Sequence, residues 1–121
     1  MQSTRSFKER EWACKCARCK QVTPHKMQAH VMEQVQAIRD EAGRPLSLTS
    51  AYRCPQHPEE AKKATPGQHS LGLAVDIKVI GGAQRYEIIQ LGLKHGATGI
   101  GVAKDFVHLD WRAGEPMAWQ Y

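Results

Sequence analysis

Long apolar runs are missing from this chain, and that absence sets the first limits on what it can be. No stretch approaches the roughly 18 apolar residues that a membrane-crossing helix requires, so no membrane insertion is expected. The opening residues, MQSTRSFKEREWAC, lack an apolar h-region, so no cleaved secretory signal is expected. The chain is then expected to be made in the cytoplasm, with any export by another route. Internal repeats and low-complexity tracts are absent too. What remains is ordinary: 121 residues, 41% apolar and 24% charged, enough for one domain without disulfides or metals being compulsory for folding. The expected organisation is a single domain over 1–121, with a cysteine-bearing basic lead segment at 1–23 and a core at 24–121.

Positive charge is what the chain has in excess, 17 Lys and Arg against 12 Asp and Glu, for a net charge of +5. The excess is uneven. Residues 1–26 carry Arg5, Lys8, Arg10, Lys15, Arg18, Lys20 and Lys26 against Glu9 and Glu11. A basic face suits a polyanionic partner, either nucleic acid or an anionic bacterial envelope, or else is simply solvated. Only Phe7 and Trp12 in that segment could stack on bases, and no nucleic-acid fold motif is present, so no nucleic acid is expected as partner.

Met27, Val31, Val35, Ile38 and Ala42 recur at helical spacing, predicting a helix with Thr23 as N-cap, Pro24 in its first turn and Gly43 as its stop. LSLTS (46–50) alternates as a strand. Pro55 and Pro58 then discourage a long helix. LAVDIKVI (73–80) reads as a strand ended by Gly81 and Gly82. Residues 83–95 read as a helix with Tyr86, Ile89 and Leu93 on one stripe and Gly96 as stop. GIGVA (99–103) and FVHLDW (106–111) form a hairpin turning at Lys104–Asp105. Two helices and about four strands imply an α+β domain, a small antiparallel sheet flanked by helices.

Two apolar strands are interrupted by ionisable residues. Asp76 lies inside LAVDIKVI, where a carboxylate is expensive to bury unless something positive meets it. Lys78 shares its strand face, but a lysine usually carries its charge out to water. His108 interrupts the last strand. By period two, Phe106, His108, Asp110 and Arg112 share one face and Val107, Leu109 and Trp111 the other. Two histidines, His69 and His108, with Asp76 and a water would make a catalytic-type zinc site, three protein ligands and one open position. Taken singly, each histidine also fits an ordinary hydrogen-bonded role. No HExxH pair is present.

HSLGLAVD (69–76) resembles the H-x-x-G-x-A-x-D motif of the zinc D-Ala-D-Ala carboxypeptidase-like peptidoglycan peptidases, which share the hedgehog/DD-peptidase fold. FVHLDWR (106–112) looks like that family's second motif, and TSAYR (49–53) resembles its T-S-G-Y-R strand end. FKEREWACKCARC (7–19) is similar to the opening of a short subgroup common in phages and prophages. The resemblance implies a catalytic core at 24–121 with His69, Asp76 and His108 as zinc ligands and Arg53 steadying an oxyanion or a substrate carboxyl group. It places the acid/base three residues before the last histidine, at Asp105. Asp105 has the opposite strand parity from His108, so Asp110 stays open as a ligand-orienting group or as the base itself. His57 and Arg112 are further candidates for touching substrate. Gly67 stands where the family usually has serine, which puts the rigidity of that loop in question.

The resemblance further implies an enzyme cleaving peptidoglycan stem peptides or cross-bridges, acting on the cell wall as a phage-released or virion-associated monomer. The alternative is a noncatalytic, zinc-containing wall-binding module on the same fold. Cys14, Cys16, Cys19 and Cys54 leave three readings open: a second, structural zinc, one or two disulfides, or inert thiols. His25, His30 and His95 read as solvated or dipole-facing. Trp12, Trp111 and Trp119 read as core or cleft wall.

Overall fold

A computed structural model describes residues 2–19, 24–65 and 67–121. Among the described residues there are four helices and five strands, in the order α1 (Glu9–Trp12), α2 (Ala29–Ala42), β1 (Leu48–Ser50), α3 (Pro58–Ala61), β2 (Ala74–Lys78), α4 (Gly81–Lys94), β3 (Gly99–Val102), β4 (Phe106–Asp110) and β5 (Met117–Gln120). The strands form one sheet in the order β1-β2-β4-β3-β5. Neighbours run antiparallel except β3 and β5, which are parallel. The α+β expectation holds, with one strand more than the sequence announced.

The sheet has a dry face and a chemical face. Val75, Ile77, Val107 and Leu109 are buried among Val31, Val35, Ile38 and Ile88, which α2 and α4 supply. Asp76 and His108 stand directly opposite each other in the β2–β4 register, and Asp110 stands opposite both Ala74 and Gly99. Strand alternation therefore delivers both ionisable residues of β4 to the side away from the helices.

The expected α2 stripe is correct from Val31 to Ile38, and Gly43 closes the helix in the left-handed region at φ 70°. Its start is not. The helix begins at Ala29 with Gln28 as N-cap, so Pro24 and His25 lie outside it, and Thr23 falls outside the described residues. In α4 the expected stripe is the wrong one. Tyr86 and Leu93 are exposed, whereas Ile88, Leu91 and Gly92 are buried. Gly81 and Gly82 follow the end of β2 at Lys78, as expected, and open the helix two residues before its expected start.

The lead segment packs into the same core. Trp12 and Phe7 are almost wholly buried and meet edge to face at 5.3 Å. The backbone amide of Tyr52 donates to the carbonyl of Trp12 at 3.0 Å, fastening this segment to the chain just after β1.

Candidate active site

Asp76 is 5% exposed, so its charge must be answered inside the protein. Lys78 does not answer it, being exposed at the end of β2. Three nitrogens from elsewhere surround the carboxylate. Nδ1 of His108 lies 3.0 Å and Nε2 of His69 3.3 Å from Oδ1, and Arg53 approaches Oδ2 at 3.6 Å. Burial alone would raise the carboxyl pKa, but the two imidazoles outweigh it and hold the group below the usual carboxylate range.

The far sides of the imidazoles decide what sits between them. Nδ1 of His69 lies 2.7 Å from the carbonyl of Ala51, which can only accept, so that nitrogen carries the proton. In a neutral His69 the lone pair of Nε2 then points at a carboxylate oxygen. Two acceptors face each other at 3.3 Å. His108 has the same difficulty in another form: Nδ1 faces Asp76 and Nε2 faces Asp110 at 2.7 Å, while a neutral ring has one N–H to give. A proton or a metal cation must fill the deficit. His69, Asp76 and His108 each offer one ligand atom, and these atoms lie within 4.8 Å of one another. A tetrahedral zinc with bonds of about 2.0–2.1 Å has ligand atoms roughly 3.3 Å apart, so the spacing fits this ion.

Asp110 is the outer partner of His108. Its side chain is fully buried and both oxygens are engaged: Oδ2 with His108 and with Nη2 of Arg112 at 2.7 Å, Oδ1 with Nε of Arg112 at 2.9 Å. Burial would raise its pKa, but Arg112 and His108 together hold it low. A carboxylate–histidine pair of this kind fixes ring orientation for a metal. Room for it comes from Gly99, where a Cβ would lie 2.2 Å from Oδ1 of Asp110.

The cluster opens on a cavity of about 750 Å³. Arg53 lines it, held by Nε to the hydroxyl of Ser50 at 3.2 Å, and so do Arg112, Phe106, Trp119 and Tyr121. His57 caps α3, accepting the Glu59 amide at Nδ1, and faces a neighbouring cavity of about 370 Å³ that shares Arg53, Asp76 and Phe106. Asp105 stands apart from these groups. It is exposed in the β3–β4 turn, outside the lining of the cavity, and its carbonyl accepts the Val79 amide at 2.9 Å. The four cysteines converge as a second cluster, all free and all buried.

One strand, β5, and one side chain escaped the sequence reading, although Trp119 on that strand was expected as core or cleft wall. β5 brings Trp119 beside the His108 ring at 5.1 Å and under the Arg112 guanidinium at 5.0 Å. Gly101 permits this, since a Cβ there would lie 2.7 Å from Nε1 of Trp119. Glu60 is that side chain. Its buried carboxylate accepts from the Gly67 amide at 3.1 Å, Ser70 Oγ at 2.9 Å and Lys63 Nζ at 2.9 Å, and reaches Arg53 at 3.5 Å. Burial would raise its pKa, but these donors bring it down to about 2. The loop that lacks the expected serine at Gly67 is thus tied to α3 by another side chain.

The family model described as Peptidase M15 matches residues 5–110, a span holding all four cysteines, Arg53 and the His69–Asp76–His108–Asp110 group. β5 and Arg112 lie beyond it. No curated protein matches the chain. With the match covering most of its length, the chain belongs to the peptidase M15 family of zinc D-Ala-D-Ala carboxypeptidase-like metallopeptidases that act on peptidoglycan.

Proposed function

We propose that the chain is a single-domain zinc peptidase over 1–121 that hydrolyses stem-peptide or cross-bridge bonds of peptidoglycan, as a D-Ala-D-Ala carboxypeptidase or endopeptidase. The observation that carries the reading is the convergence of His69, Asp76 and His108, whose ligand atoms lie within 4.8 Å of one another beside an open cavity. His69, Asp76 and His108 hold the ion, with Ala51 and Asp110 orienting the two imidazoles. Zinc held there supplies an acidified water and polarises the scissile carbonyl.

The remaining work falls to the chain's own groups. Arg53, whose side chain is 19% exposed, presents a fixed guanidinium to an oxyanion or to the substrate's terminal carboxylate. Arg112, pinned between Asp110 and the Trp119 ring, offers a second cation to the same cavity. Asp105 is the group assigned to take the proton of the attacking water and hand it to the leaving amine. It reaches them only if the chain turns before Phe106 to bring its carboxylate to the cavity. Asp110 has both oxygens occupied and no contact with solvent, which suits orientation better than proton transfer. His57 lies near Arg53 on the substrate side. The enzyme acts as a monomer on the cell wall, in phage or prophage lysis or as a tail-associated protein, and the basic lead segment favours that anionic surface.

One observation favours the noncatalytic wall-binding module instead: Asp105 is exposed outside the cavity lining. Digestion of purified cell wall separates the two. Zinc-restored protein is expected to release new amino termini that chelated protein does not, with the cleaved bond named by mass spectra of the muropeptides. Retention on the wall with no release from either sample overturns the peptidase reading.

A further inference from the structure

Cys14, Cys16 and Cys19 lie within six residues of the lead segment, and Cys54 is the residue after Arg53. Their side chains meet under the surface, none more than 9% exposed. Sγ of Cys16 lies 3.5 Å from that of Cys19 and 3.6 Å from that of Cys54, which lies 3.6 Å from that of Cys14. All four sulfurs fall within 4.8 Å of one another. A tetrahedron of sulfurs around zinc, with bonds of about 2.3 Å, has edges of about 3.8 Å. The observed separations match that figure and not the roughly 2 Å of a disulfide. No two sulfurs are singled out as a pair, because Cys16 and Cys54 each have two equivalent neighbours. The Cys19 amide also donates to Sγ of Cys16 at 3.5 Å, a contact that favours a thiolate.

We propose that these four cysteines form a second metal centre, a closed tetrathiolate site for zinc that clamps the lead segment to the chain leaving β1 and thereby positions Arg53. Three ligands within six residues and a fourth at Cys54 tie two distant stretches together. The tie adds to the core packing of Phe7 and Trp12, because α1 is only four residues long and contributes little by itself. Arg53 sits between Tyr52, whose amide is bonded to Trp12, and Cys54. With both flanking residues fixed, its guanidinium keeps its place beside Asp76. This centre is independent of the reading of the other site, and its test does not use turnover.

The protein is purified without chelator, and zinc per chain is counted in the wild type and in His69→Ala. Two ions and one ion are expected. Cobalt(II) is then exchanged into His69→Ala, where intense sulfur-to-cobalt charge-transfer absorption is expected, and where Cys16→Ser, if it folds, weakens it. A thiol titration in denaturant without reductant is expected to find all four thiols after the metal is stripped. Three results each overturn the proposal: His69→Ala with no bound ion, a bound cobalt without the charge-transfer band, or fewer than four titratable thiols, which means a disulfide.

Discussion

Among the described residues two groups of metal-type side chains lie in this chain, and they differ in composition and in what they face. The first has three hard or borderline donors, two imidazoles and a carboxylate, on the open side of the sheet against a cavity of about 750 Å³. The second has four thiols enclosed between the lead segment and the end of the strand that precedes Arg53. Zinc chemistry makes sense of the contrast. A site that fills all four positions with sulfur holds the chain together, and a site that keeps one position for solvent can use it. Arg53 is where they meet, since its guanidinium lies against Asp76 of the first group while its chain neighbour Cys54 belongs to the thiol group.

The comparison breaks most visibly under metal removal. A mild chelator should strip the open site first and abolish turnover, a loss of roughly 10³-fold or more if the ion contributes several kcal/mol to the transition state. The thiol site should keep its zinc, and circular dichroism should stay unchanged, until the protein is unfolded. Simultaneous loss of both ions, or lost structure at the first equivalent removed, would mean that the two sites do not differ as open and closed.

A smaller effect separates the two aspartates at the ends of β4, Asp105 in the turn before it and Asp110 at its last residue. Asp105→Asn should lower turnover by about 10²-fold or more with zinc retained, as expected of a group that moves the proton. Asp110→Asn should instead weaken zinc binding or activity by about 10–100-fold, because it changes the partner of His108 and not the reacting water. Retention of near-full turnover by Asp105→Asn removes it from the mechanism.

Much of this architecture was legible because the ionisable residues interrupt strands whose other positions are plainly core. Val75 and Ile77 flank Asp76, and Val107 and Leu109 flank His108, so period two alone placed both on one face. The parts that were not legible share a physical cause. In α4, Tyr86, Ile88, Ile89, Leu91 and Leu93 are apolar around much of the circumference, so spacing could not tell which stripe meets the sheet. β5 reads MAWQ after Pro116, mixes polar and apolar residues, and earns its place through parallel pairing with β3, a contact no local pattern announces. Glu60 follows Pro58 and Glu59 in what looks like a solvated polar stretch, and only tertiary folding turns it inward. Its neighbour Glu59 stays exposed.

Glu60 gives the smallest and most specific test of how the open site is held. Its carboxylate has a folded pKa lowered to about 2, against an ordinary glutamate value near 4.3. A depressed carboxyl group adds stability that is fully present above its unfolded pKa and is lost as pH falls toward the folded one. The wild type should therefore lose stability between about pH 4.3 and pH 2 through this group. Asp76 and Asp110 are depressed as well and add to the loss, so the informative quantity is the difference from Glu60→Gln. That variant keeps the shape but weakens the bonds to Gly67, Ser70 and Lys63, and should be less stable at pH 7 by roughly 1–2 kcal/mol. The gap between the two proteins should narrow as pH falls through that window, read from urea midpoints at each pH. Turnover should fall only a few-fold, because Arg53 keeps its contacts with Ser50 and Asp76 when the carboxylate behind it loses its charge. A gap that stays constant with pH would mean that Glu60 shapes the loop by packing and not by charge.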